Sequence, residues 1–139
     1  MNREEDLSLK ESEALKEALE KISPLIEKYT GAVCPGCVKV CCAARHGRPE
    51  KEDILFFESI GYEWKSSPGA DDAPCGFMGP RGCVLERWQR PFRCTWYFCE
   101  PLLAHIKSGK AREYRSLVKE LGRLVGIRRE FLENNGGSP

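Results

Sequence analysis

Between Asp6 and Tyr29 the apolar side chains recur at helical intervals: Leu15, Leu19, Ile22, Leu25 or Ile26, then Tyr29. Steps of three and four residues place them on one face of a helix. Ser8-Leu-Lys-Glu11 has the form of a capping box at its start. Pro24 lies inside the pattern, and Ser23-Pro24 has the form of an N-cap followed by a first helical residue. A kink or a restart is expected there. Gly31 is the expected stop.

A second helix is predicted from Pro49, with Glu50, Glu52 and Asp53 in its first turn, where acids favour the helix dipole. Ile54, Phe57 and Ile60 form its expected inner face, and Gly61 ends it. Tyr62-Glu-Trp64 reads as a short strand. Residues 66–74 are a turn-rich loop of Ser, Pro, Gly and Asp. Gly79-Pro80-Arg81-Gly82 reads as a hairpin turn between two short strands. Pro101 can open a short helix through Leu102, Leu103 and Ile106 that closes near Gly109. A longer helix is predicted over Ala111–Glu133, with Tyr114, Leu117, Leu121, Leu124, Val125 and Leu132 on one side. Gly122 and Gly126, four apart, would let it pack closely on the N-terminal helix. The reading is an α+β fold, mainly helical: one small domain whose N- and C-terminal helices pack together. It divides into an N-terminal helix (1–31), a cysteine-rich region of loops and a short hairpin (32–100), C-terminal helices (101–133) and a disordered tail (134–139).

Length and composition fit one domain of ordinary apolar content. The net charge of +1 gives no overall attraction to nucleic acid. The charge is uneven, however. Residues 1–20 carry seven acids and three bases, and residues 101–139 carry eight bases and four acids. An antiparallel helix pair would use that asymmetry as mutual attraction. No basic segment followed by an apolar run marks a signal peptide, and no stretch has the length and apolarity of a membrane span. A cytoplasmic location is expected. Thiols stay reduced there, so the eight cysteines point to metal rather than to disulfides.

Four thiols fall within nine residues in Cys34-Pro-Gly-Cys37-Val-Lys-Val-Cys41-Cys42. The Pro-Gly turn lets the first two sulfurs face one point, which suits a tetrahedral metal at about 2.3 Å. Cys75, Cys83, Cys94 and Cys99 follow. Adjacent side chains point apart, so Cys41 and Cys42 would serve different ions. One joins Cys34 and Cys37 with a distal thiol closing the shell, and the other joins three of the later four. Two zinc ions are the favoured occupants. Iron or a [4Fe-4S] cluster is the alternative, because four thiolates suit either. A zinc ion in four thiolates is structural, with no open position for catalysis. Arg81, Arg87, Arg90 and Arg93 flank the second group. They would either offset thiolate charge and hydrogen-bond to sulfur or backbone, or form a solvated basic loop. His46 and His105 are candidate ligands that eight thiols make unnecessary. Trp64, Trp88, Trp96, Tyr97 and Phe98 are expected to pack around the metal loops. No phosphate loop, nucleophile elbow or dinucleotide fingerprint is present.

These residues resemble the YkgJ-type cysteine-cluster family, named for its Cys-x-x-Cys-x-x-x-Cys-Cys motif. The likeness begins at Cys34, Cys37, Cys41 and Cys42, and includes the helix with Glu52. It continues through Cys75 with Phe77, Cys83, and Arg90-Pro91 with Cys94, and closes at Cys99. It spans roughly residues 30–100 and leaves out the flanking helices. The resemblance implies a zinc or iron site built from the eight cysteines. Some members of the family are labelled iron–sulfur oxidoreductases. The cysteine arrangement is also similar to that of flagellin lysine methylases, but this chain is much shorter and shows no further domain for a methyl donor. The leading expectation is a metal-binding protein whose chiefly structural sites shape a surface for a protein partner. The alternative is an iron–sulfur redox or methyl-transfer enzyme. Neither a membrane nor nucleic acid is expected as a partner.

Overall fold

A computed structural model describes residues 3–33, 48–64, 78–79, 82–96 and 100–135. The first helix, α1 (Arg3–Val33), buries Leu15, Leu19, Ile22, Ile26 and Tyr29. This is the stripe that the apolar spacing traces. The helix runs without a break through Pro24, so neither a restart nor a helix end falls there, and it continues past Gly31. The ring of Pro24 faces solvent. The turn loses one backbone hydrogen bond, to a carbonyl that water can reach.

After α1 the described chain resumes at Arg48 and enters α2 (Lys51–Ser59). Pro49 precedes this helix rather than opening it. Glu50 is the N-cap, and its N–H donates to Asp53 Oδ2 at 2.8 Å. The buried side chains of α2 are Asp53, Phe56 and Phe57, whereas Ile54 and Ile60 are half-buried. Its end is a Schellman motif. Gly61 adopts a positive φ of 72°, its N–H donates to Glu58 O, and the Tyr62 N–H reaches back to Phe57 O at 2.8 Å. The Tyr62 ring packs edge-on against Phe57, 5.2 Å between centroids. Tyr62-Glu-Trp64 is not a strand. Trp64 instead stacks on Phe57 at 5.6 Å.

The expected α+β class is overturned, and the molecule is mainly helical. The one strand pairing among the described residues joins β1 (Met78–Gly79) to β2 (Gly82–Cys83), two residues to an arm. That is a turn rather than a layer. A sheet needs alternating apolar positions to cover a core, and the glycine- and proline-rich cysteine region has none. Among the described residues the buried apolar core instead lies on helices, including α4 (Glu100–Ser108) with Leu102 and Ile106. Between β2 and α4 come a 3₁₀ turn, Arg87–Gln89, and the short α3, Arg93–Trp96.

The last helix, α5 (Ala111–Asn134), lies antiparallel to α1. Lys28 meets Glu113 at 2.8 Å at one end, and Asn134 Nδ2 donates to Glu11 Oε1 at 3.0 Å at the other. The ion pair therefore takes its base from α1 and its acid from α5, opposite to the net charges of the two ends. Lys28 is raised and Glu113 lowered from their ordinary pKa values, each chiefly by this hydrogen bond. Leu117, Leu124, Phe131 and Leu132 are buried. Val125 is exposed, and so are Gly122 and Gly126, each with open space where a Cβ would stand. The glycines thus do not mediate packing on α1. Asn134 is helical and Asn135 caps the end, bonding back to Phe131 O and Leu132 O. The rest of the expected tail, 136–139, lies outside the described residues. No described helix is long and apolar enough to cross a membrane.

Candidate metal centre

Of the eight expected ligands, Cys34, Cys37, Cys41, Cys42, Cys75 and Cys99 lie outside the described residues, as do His46, Arg81, Tyr97 and Phe98. Cys83 and Cys94 lie inside, the first half-buried on β2 and the second exposed on α3. Among the described residues no three ligating side chains gather at one point. What the structure describes is the arm that carries these two cysteines, residues 83–96, and the way it is fastened to the helices.

Arg87 is the centre of that arm and is 3% exposed. Its Nη1 donates to the carbonyl of Cys94 at 3.1 Å, and its Nε to Ser23 Oγ at 3.4 Å. Its Nη2 lies 3.8 Å from Glu27 Oε1, too far for a hydrogen bond, and finds no other partner among the described residues. Burial, and secondarily the like charge of Arg90, push the Arg87 pKa down to about 10. Glu27, Cys94 and Cys83 act in the opposite direction, so both thiols lie within electrostatic reach of one guanidinium. At neutral pH Arg87 remains a cation.

Arg90 closes the loop on itself. Its Nε and Nη2 donate to Leu85 O at 3.0 and 2.8 Å, and Nη2 also reaches Glu27 Oε1 at 3.1 Å. Ser23 and Glu27, one turn apart on α1, thus receive both arginines. Neither Arg87 nor Arg90 belongs to a solvated basic loop. Their bonds to backbone carbonyls fix the path of the chain between the two cysteines.

The opposite side is held by Asp53. Its Oδ1 accepts the Phe92 N–H at 2.9 Å while Oδ2 serves Glu50. Burial raises the Asp53 pKa, outweighing these two hydrogen bonds and the nearby Arg128. Arg128 lies over the Phe92 ring, 4.2 Å from its centroid. One carboxylate on α2 and one cation on α5 therefore pin the residue two positions before Cys94. Thr95, next to Cys94, is fully buried, and its hydroxyl has no hydrogen-bond partner among the described residues.

The aromatic side chains divide. Trp88 packs edge-on to Tyr62 at 5.2 Å beneath Lys16, and its Nε1 donates to Glu86. Trp96 is half exposed. His105 sits on the exposed side of α4, its ring edge-on to Tyr29. Ser23, Glu27, Asp53 and Thr95 carry no motif that marks them as partners of the cysteine arm. The acid at the start of α2 is the single visible signal, and in the sequence it reads as a dipole effect.

A buried cation with a spare donor and an unpartnered buried hydroxyl flank the chain at Cys94, and metal-bound thiolates accept hydrogen bonds from such groups. No family profile matches this chain, no curated protein matches it, and no solved structure matches it.

Proposed function

We propose that this chain is a metal-binding cysteine-cluster protein of the YkgJ type. Cys34, Cys37, Cys41, Cys42, Cys75, Cys83, Cys94 and Cys99 would supply one or two four-thiolate sites. These sites are chiefly structural, with two zinc ions as the favoured content, and they shape a surface for a protein partner in the cytoplasm. The observation that carries this reading is that buried Arg87, whose charge the Cys83 and Cys94 thiols favour, bonds the carbonyl of Cys94. Four thiolates around one zinc leave net negative charge, and burying a cation without a counter-charge is costly. Arg87 faces one half-exposed carboxylate, Glu27 at 3.8 Å, and a thiolate site would add to that counter-charge. The cysteine spacing supports the metal class independently of Arg87.

The test is elemental analysis of untagged protein purified without oxygen, with a visible spectrum and a thiol count on the same sample. Two zinc per chain and no reactive thiol is the expected result. One metal with four reactive thiols would remove the paired-site arrangement. Iron with acid-labile sulfide would replace the structural reading by the redox or methyl-transfer one. Metal-free protein with oxidised cysteines would end the proposal.

A further inference from the structure

We propose that the exposed face of α5 is a docking surface for an acidic amphipathic helix of a partner protein. The surface is separate from the cysteine arm and does not depend on metal. Between residues 111 and 129 the exposed positions of α5 hold five bases, Arg112, Arg115, Lys119, Arg123 and Arg129, and no acid. The two acids of that stretch, Glu113 and Glu120, are half-buried at its edges. Glu113 is taken by Lys28 of α1, and Glu120 lies 3.9 Å from Arg123. No carboxylate among the described residues comes within ion-pair distance of the other four bases. Exposed acids return at Glu130 and Glu133, near the end of the helix. The basic charge of α5 is therefore turned to solvent rather than toward the acidic α1. Arg115, Lys119 and Arg123 follow one another at steps of four, and like charges at that spacing destabilise a helix. An anionic partner removes that repulsion.

The form of the face selects the occupant. The row from Arg115 to Arg123 is about 12 Å long, so its charges do not converge on one point as a small anion requires. Val118 and Val125 lie two turns apart beside that row, 50% and 40% exposed. Gly122 stands between them with open space where a Cβ would be, which leaves the strip shallow. An apolar strip with a basic edge is matched by a helix that carries an apolar strip and an acidic edge. A phosphate backbone would engage the bases and leave the valines without a partner. A lipid surface takes up Trp, Phe and Leu side chains, and the exposed positions of α5 carry none of these.

The test uses the intact protein and a labelled synthetic helical peptide with leucine and alanine along one strip and glutamate along its edge. Fluorescence anisotropy reads the binding. Wild type should bind the peptide, and added salt should weaken the complex. Arg115→Glu with Lys119→Glu should weaken it about tenfold or more. Val118→Ser with Val125→Ser, which leaves every charge in place, should weaken it about fivefold. Both double variants should keep the helical ellipticity of wild type. A second peptide of equal charge, with glutamine in place of leucine, should bind more weakly than the first. Wild type that binds neither peptide, or both equally, would overturn the proposal. Tighter binding of duplex DNA, or of vesicles containing phosphatidylserine, would also overturn it and give the face to that partner. A dimer of the protein alone in sedimentation, dissolved by the charge-reversal pair, would assign the face to a second copy instead. Zinc content enters none of these outcomes, so the docking surface and the metal reading stand or fall separately.

Discussion

Asp53 shows how one buried carboxylate can serve two elements. It accepts the Glu50 N–H at the start of α2 and the Phe92 N–H on the cysteine arm. Asp53→Ala loses a helix cap and leaves a partly buried N–H without a partner, together about 2–3 kcal/mol by urea denaturation. Its pH dependence has a definite sign. Burial raises the folded-state pKa above the ordinary 3.8, so the folded protein binds the proton more tightly than the unfolded chain. That contribution is fully present below the ordinary value and is lost as the pH rises through the raised one. The stability of wild type relative to Asp53→Asn should therefore fall as the pH is raised from about 3 through the raised value. A gap that widens over the same range would mean that the two N–H bonds and Arg128 outweigh burial. None of this is written in local sequence. An acid in the first turn of a helix has a sufficient local reason to be there, and its partner at Phe92 lies 39 residues away.

At the scale of elements, what the sequence reveals depends on how local the cause is. Gly61 ends α2 for a local reason, its positive φ, and the Tyr62–Phe57 contact completes the same motif. The buried stripe of α1 follows from spacing alone. Pro24 and the glycines of α5 mislead because their consequences depend on which way they face. Pro24 faces solvent and leaves α1 continuous; Gly122 and Gly126 face solvent and pack against nothing among the described residues. A glycine in an exposed helix interior costs about 0.8–1.0 kcal/mol relative to alanine. Gly122→Ala with Gly126→Ala should accordingly stabilise the protein by about 2 kcal/mol and raise Tm by several degrees in calorimetry. The Cβ atoms have room, so no strain offsets the gain. Destabilisation, or a change in sedimentation without loss of helix, would mean that this face is covered by another molecule in solution.

For the whole molecule, the separation of core from cysteine arm decides what metal removal does. Among the described residues, every buried apolar residue of the core, from Leu15 to Leu132, lies on α1, α2, α4 or α5. Phe131 is fully buried against Phe56, ring centroids 5.9 Å apart, at the meeting of α1, α2 and α5. Truncating such a side chain costs about 3–5 kcal/mol, a scale set without any cysteine. The arm over 83–96 packs only the half-buried Trp88 and Phe92 against that core, and is further attached through polar bonds at Ser23, Glu27 and Asp53. Small metal domains commonly unfold without their ion because the ion replaces a core; here the helices have their own. Chelation of the loaded protein should therefore keep ellipticity at 222 nm within about a tenth of its starting value. The tryptophan emission should change, because Trp88 and Trp96 sit on the arm, and trypsin should cut at its arginines before it cuts the helices. Collapse of the helical signal on chelation would show that the thiolate sites, rather than the α1–α5 pair, hold the fold together. In that case Asp53 and Arg87 would transmit the order of the metal loops into the helices, instead of extending the order of the helices out to Cys94.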